Sequence, residues 1–181
     1  MYPTLMDNSR VTIFTIGHSN TNLEHFLGLL MAHDIEVLVD TRTYPASRHV
    51  PHFGRRTLEQ ALNEVGVRYR YLGDKLGGRP RSPEFYDADG KVDYDRIEAS
   101  DSYQEGIEQL LEAAASGRVC ILCSEEDPLR CHRRNLIART LVRRGVNVQH
   151  IRGDGGLESE EEVGQREWLS HKRNSAQVRL L

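Results

Sequence analysis

Val119-Cys-Ile-Leu-Cys123 is a short run with no charged residue, and Ser124-Glu-Glu-Asp-Pro128 follows it at once. An uninterrupted apolar run bounded by polar residues is the pattern of a strand covered on both faces, as at the centre of a parallel sheet. Asp127-Pro128 reads as a helix start, because Asp can cap the first turn and Pro fits where no N–H partner is needed. The helical pattern runs to Arg144, turns Leu136, Ile137, Thr140 and Leu141 inward, and stops at Gly145. It places Cys131 in the first helical turn.

Units of the same kind lie on either side. Val11-Thr-Ile-Phe-Thr-Ile16 is a β-branched run ended by Gly17, and Asn22 can cap a helix over residues 23–33. Glu36-Val-Leu-Val-Asp40 is a second strand, and Thr57 is the expected cap of a helix stopped by Gly66. Val67-Arg-Tyr-Arg-Tyr-Leu72 alternates as a third strand, and Val146-Asn-Val-Gln-His-Ile151 reads as a fifth. Between them, residues 73–99 are rich in Gly, Pro, Asp and Arg and read as one long loop, while residues 100–116 read as a helix. The pattern predicts an α/β fold: a single domain with a mostly parallel five-stranded sheet and helices on both faces. Residues 11–152 form the expected core. Residues 153–181 form a polar tail with a docked helix around Trp168, which is expected to anchor it.

Composition bounds the function. The chain of 181 residues has ordinary hydrophobic and charged content and lacks the roughly 20-residue apolar run of a membrane span. Met1–Arg10 shows no basic stretch followed by an apolar core, and three cysteines make no disulfide framework, so a cytoplasmic protein with reduced thiols is expected. A net charge of −3 gives no broad attraction to nucleic acid. Of the 24 basic residues only Lys75, Lys91 and Lys172 are lysine. Arginine offers a planar fork suited to carboxylate and phosphate, although the bias also follows from base composition, so position must decide.

Ligands of open parallel sheets bind beyond the carboxyl ends of the strands. Three polar clusters are expected there: Gly17, His18 and Ser19 after the first strand; Asp40 and Arg42, followed by Arg48 and Phe53, after the second; and Cys123, Glu125, Cys131, His132 and Arg133 after the fourth. A helix start with basic neighbours favours the thiolate of Cys131. Cys123 stands at the mouth of the same expected site. Cys120, three residues earlier on the strand, points to the opposite face and belongs to the core. His18 or His132 could handle protons, Asp40 could orient His18 or an arginine or act as a base, and Arg42, Arg48 and Arg133 could hold an anion. Cys123, Cys131, His132 and His18 are permissible zinc ligands, but the Cys-x2-Cys spacing present, Cys120–Cys123, puts its two residues on opposite faces of one strand and no His-x3-His spacing occurs, so no metal or other cofactor is assigned. Glu125, Glu126 and Asp127 crowd the turn that a phosphate-cradling cysteine loop would need, and no nucleotide loop of the Gly-x4-Gly-Lys-Ser type occurs.

With these residues placed, the chain resembles the bacterial and archaeal family catalogued as domain of unknown function 488. The resemblance rests on Thr15-Ile-Gly-His-Ser19, Glu36-Val-Leu-Val-Asp-Thr-Arg42, Pro51-His-Phe53, Leu72-Gly-Asp-Lys-Leu-Gly-Gly78 and Cys123-Ser-Glu-Glu-Asp-Pro-Leu-Arg-Cys-His-Arg133. Ser124 stands where similar chains often carry Ala. The resemblance implies a compact α/β fold and supplies no activity. The leading expectation is an enzyme, a cysteine-dependent transferase or hydrolase, acting on an anionic small molecule or nucleic-acid component. The alternatives are a non-catalytic nucleotide or nucleic-acid binding module using Arg-rich loops 42–56 and 79–81, and a thiol-based metal or redox-sensing site.

Overall fold

The computed structural model describes residues 11–46 and 48–178, with side chains as far as residue 172. The expectation about Met1–Arg10 lies outside these residues. Among them no helix is long and apolar enough to cross a membrane. The sheet is mixed and mostly parallel, in the order β3-β2-β4-β1-β5-β6. Its strands are β1 (Thr12–Gly17), β2 (Val37–Asp40), β3 (Arg68–Tyr71), β4 (Val119–Cys123), β5 (Asn147–Ile151) and β6 (Leu157–Ser159). The first five are parallel, as expected. The sixth pairs antiparallel with β5 through Ile151↔Leu157 and Gln149↔Ser159, so the five-stranded expectation is short by one edge strand.

Alternation along the strands builds two cores. Ile13, Val37, Val39, Val119, Ile121 and Val148 face one way, toward α5 (Asp101–Ala115) and the helix that follows β4. Phe14, Ile16, Leu38, Cys120 and Leu122 face the other way, toward α1 (Leu23–Ala32) and α2 (Arg55–Glu64). Strand β4 is buried along its whole length. Asn22 caps α1 by accepting from the His25 N–H, and Ser100 caps α5. The cap of α2 is Gly54 rather than Thr57, which lies inside the helix, because the turn Pro51–Phe53 brings the chain in three residues early.

The order of strands positions the site. After β1 and β2 the chain turns to helices on one face, whereas after β4, which lies between them, it turns to the other. Neighbouring loops therefore part over the ends of β1, β4 and β2, opening a crevice at the switch point.

Two segments depart from expectation. Residues 73–99 are structured: α3 (Gly73–Leu76), a tight turn at Pro83–Phe85, a bridge between Tyr86 and Val92, and α4 (Tyr94–Glu98) capped by Asp93. The second departure follows β4. Asp127 caps only a 3-10 turn, Pro128–Arg130, and Cys131 is extended with φ −126° and ψ 141°. The helix proper begins one step later, as a π-helical stretch Arg133–Ala138 running into α6 (Arg139–Arg143). Cys131 thus precedes the helix, and its carbonyl accepts from the Arg134 and Asn135 N–H groups. The tail helix is α7 (Glu160–Val178). Trp168 does not anchor it, being 55% exposed; buried Val163 and the pairs Arg166–Asp127 and Arg134–Glu167 dock this helix instead.

Candidate active site

The site grows from the level ends of three strands. Gly17 pairs with Cys123 across β1 and β4, and Asp40 with Leu122 across β2 and β4. Beyond them the His18 N–H donates to the Cys123 carbonyl and the Ser19 N–H to that of Ser124. Thr41 donates to the Leu122 carbonyl from both its N–H and its hydroxyl.

Cys123, Cys131 and His132 meet at this point, their ligating atoms all within 4.8 Å of one another. His132 Nδ1 lies 3.3 Å from Cys123 Sγ and 3.9 Å from Cys131 Sγ. On its other side, His132 Nε2 lies 3.2 Å from the Thr41 carbonyl oxygen. A carbonyl only accepts, so Nε2 carries the proton and Nδ1 turns toward the sulfurs. Gly78 backs the ring, since a Cβ there would come within 2.5 Å of His132 Cγ. The thiols are unequal. Donation from Cys131, His132 close by and the Arg133 charge together hold the Cys123 thiol well below its usual range against its burial. Cys131 keeps the shared proton and is pushed up. Cys120 is fully buried in the second core and its pKa is raised by burial, in keeping with a core role.

These groups open onto a cavity of about 380 Å³ whose lining includes Arg42, Arg79, Arg130, Tyr94, Glu125 and the Cys–Cys–His cluster. A second depression of about 440 Å³, with His18, Ser19 and His49, shares Arg42, Tyr44, Ser124 and Glu125 with it. The acidic turn is less negative than its sequence, because Glu126 is paired with Arg152 and Asp127 with Arg166. Of the three carboxylates only Glu125 lines the cavity.

Several expected site residues prove to be framework. Asp40 is fully buried and receives Arg42 Nε at 2.9 Å, Arg42 Nη2 at 2.6 Å and the Tyr69 hydroxyl at 2.7 Å, so it orients an arginine and is no free base. Arg42 Nη1 in turn lies 3.1 Å from His18 Nε2, while His18 Nδ1 donates to the Ser19 carbonyl at 2.7 Å. Burial and the Arg42 charge lower the His18 pKa to about 4, and its only lone pair faces a guanidinium. His18 is a neutral link stacked on Phe53 at 4.3 Å, rather than a proton carrier. Phe53 is buried in the core and lines neither depression. Gly17 underlies the turn, where a Cβ would come within 1.7 Å of the Glu125 carbonyl oxygen.

The arginines expected to hold an anion do not all reach the cavity. Arg48 is exposed and lines neither depression, and Arg133 is fully buried, donating to the carbonyl oxygens of Glu125 and Glu126. Arg42 remains. Among the described residues, three of its five side-chain N–H groups are engaged, with Asp40 and His18. Arg79 and Arg130 line the cavity with it. Their signal was an Arg directly after Gly77-Gly78 and another directly before Cys131, but chain neighbours do not tell which arginine turns inward.

The family model described as domain of unknown function DUF488 matches residues 22–140. The chain belongs to this family. The matched span includes Asp40, Arg42, Gly78, Cys123, Cys131 and His132, while Gly17, His18 and Ser19 precede it. No curated protein and no solved structure matches the chain.

Proposed function

We propose that this DUF488 protein is an enzyme, a cysteine-dependent transferase or hydrolase, whose Cys123–Cys131–His132 cluster works on an anionic small molecule or nucleic-acid component. The observation that carries the reading is the cavity itself, whose lining brings three arginines, Arg42, Arg79 and Arg130, together with the sulfur–imidazole cluster. Guanidinium forks recognise phosphate and carboxylate oxygens bidentately. The imidazole is oriented by a third group, the Thr41 carbonyl, as an acid–base or ligating histidine requires. The π-helical stretch directly after His132 is a rare form that is frequent at functional sites. The cavity volume suits a ligand of a few tens of atoms rather than a polymer groove. Buried, unpaired thiols support placement in the reducing cytoplasm.

The test is titration of the full chain with inorganic phosphate and with a nucleoside monophosphate, followed by calorimetry and by thermal stabilisation. At least one anion binds, binding weakens as salt rises, and Arg79→Ala and Arg130→Ala each lower affinity by about tenfold. If no anion binds, or if binding ignores both arginines, the proposal fails.

A further inference from the structure

We infer that Cys123 Sγ, Cys131 Sγ and His132 Nδ1 form a binding site for a soft divalent cation of the zinc type, with its fourth coordination position open to the arginine-lined cavity. The inference rests on the cavity being the working site and deepens that reading by naming what the cysteines hold.

Distances come first. Zinc–sulfur bonds of about 2.3 Å and zinc–nitrogen bonds of about 2.0–2.1 Å, at a tetrahedral angle, give a sulfur–nitrogen edge of about 3.6 Å. The two edges here, 3.3 Å and 3.9 Å, bracket that value. All three ligating atoms lie within 4.8 Å of one another, so small side-chain adjustments close the remaining edge around one ion.

The surroundings point the same way. A ligating histidine donates its other ring N–H to a carbonyl or carboxylate, which fixes the ring and strengthens the ligand. His132 Nε2 does this to the Thr41 carbonyl, leaving Nδ1 to face both sulfurs. Cys131 Sγ accepts the Arg133 backbone N–H at 3.4 Å, as a thiolate ligand would. The buried Arg133 guanidinium binds backbone carbonyls, so its charge is left to offset sulfur anions close by. Two thiolates and a dication are together neutral, and Arg133 then leaves the centre net positive, which suits an anionic ligand.

The ligand set selects the metal and its use. Thiolate and imidazole favour zinc over the hard cations, which take oxygen ligands. Three protein ligands with an open vertex are the arrangement of catalytic rather than structural zinc. His18, the fourth ligand permitted by sequence, is spent on Arg42 and Ser19 and cannot close the sphere. Glu125 lines the same cavity without belonging to the cluster. The spacing of the ligands explains why sequence motifs miss them. The turn over residues 124–130 and the crossing of Thr41 bring them together.

The experiment is addition of cobalt(II), then zinc(II), to the full-length chain kept reduced with a phosphine. We expect one equivalent of cobalt to give thiolate-to-cobalt charge-transfer bands and tetrahedral d–d bands, and one equivalent of zinc to abolish both. Cys123→Ser, Cys131→Ser and His132→Gln each weaken cobalt binding at least tenfold, while Cys120→Ala retains it. Circular dichroism of each variant separates loss of ligand from loss of fold, and Cys120→Ala controls for loss of a thiol. Absence of the bands in the folded, reduced wild-type chain overturns the inference, as does an undiminished spectrum in the Cys123→Ser, Cys131→Ser double variant. Anion binding is read separately, so arginine-dependent phosphate binding without cobalt binding would remove the metal and keep the proposed function. Cobalt binding without anion binding would do the reverse.

Discussion

His132 Nε2 lies 3.2 Å from the carbonyl oxygen of Thr41, 91 residues earlier in the chain. This contact ties the helix side of β4 to the end of β2 and decides which ring nitrogen faces the two cysteines. The orientation depends on Gly78, which leaves no room for a side chain beside the imidazole. Gly78→Ala puts a methyl group 2.5 Å from His132 Cγ and displaces the ring. The expected outcome is a loss of about 10–100-fold in cobalt affinity, the usual cost of disturbing a ligand's support. Cobalt titration checks it, with urea unfolding to show that the fold persists.

Gly17 carries a different constraint. A Cβ there meets the Glu125 carbonyl oxygen at 1.7 Å and Arg133 Nη1 at 2.3 Å, and a backbone carbonyl held by a buried arginine cannot swing aside. Gly17→Ala is expected to destabilise the protein by about 3 kcal/mol or more, at the upper end for overpacking. Urea denaturation measures the change.

Arg133 is structural before it is electrostatic. Its guanidinium secures the carbonyls of two successive residues, Glu125 and Glu126, and so holds the turn between Cys123 and Cys131. Arg133→Met is expected to cost about 3 kcal/mol, from two charge-assisted hydrogen bonds lost. Arg133→Lys should recover less than half of this, because an ammonium cannot span both carbonyls as a fork does. Comparing the unfolding midpoints of the two variants tests the point.

Stability should fall with acid before most carboxylates titrate. His18 is held at about 4 against an ordinary 6.5 by burial and the Arg42 charge, so the native chain stays neutral there while the unfolded chain takes up a proton. The stabilisation is complete above pH 6.5 and is lost as pH falls from 6.5 toward 4, by about 3 kcal/mol over that window. His150, buried against Thr15 and Glu160, is also lowered by burial and adds loss of the same sign. Urea unfolding at half-unit steps of pH should show this slope, and His18→Gln should flatten it.

Much of the frame was legible. The five parallel strands announced themselves as apolar, β-branched or alternating runs, and burial of β4 on both faces followed from Val119–Cys123 alone. The sixth strand did not, because Leu157–Ser159 is three residues in a polar tail and takes its form from pairing with β5. The structure of residues 73–99 was hidden for a related reason. Its helices are one turn or little more, too short for a periodic pattern, and are held by contacts such as Asp93 capping α4.

The site was legible in its location and less so in its parts. Strand ends fixed the crevice and brought Cys123, Cys131, His132, Arg42 and Glu125 to it. Sequence could not show that Asp127-Pro128 closes a single 3-10 turn, leaving Cys131 extended before the helix. Nor could it show that Asp40 takes two of Arg42's side-chain N–H groups, that Arg42 occupies His18, or that Arg133 turns inward while Arg79 and Arg130 line the cavity. Those outcomes depend on which side chains meet, across two to 24 residues of chain, and hydrophobic periodicity does not encode them.

The most direct test of the cavity as an anion-receiving cysteine site is the reactivity of Cys123 toward two alkylating agents that differ in charge. In the full chain treated with chelator, Cys123 is modified by iodoacetate and by iodoacetamide, and peptide mapping gives the rate for each. Arg42, Arg79 and Arg130 should concentrate the anionic reagent, raising the iodoacetate-to-iodoacetamide ratio about tenfold above that of a free cysteine. Inorganic phosphate and the Arg79→Ala, Arg130→Ala double variant should return the ratio to the free-cysteine value. A Cys123 that is inert to both reagents, or one whose ratio equals that of free cysteine in the unmodified chain, would contradict the account.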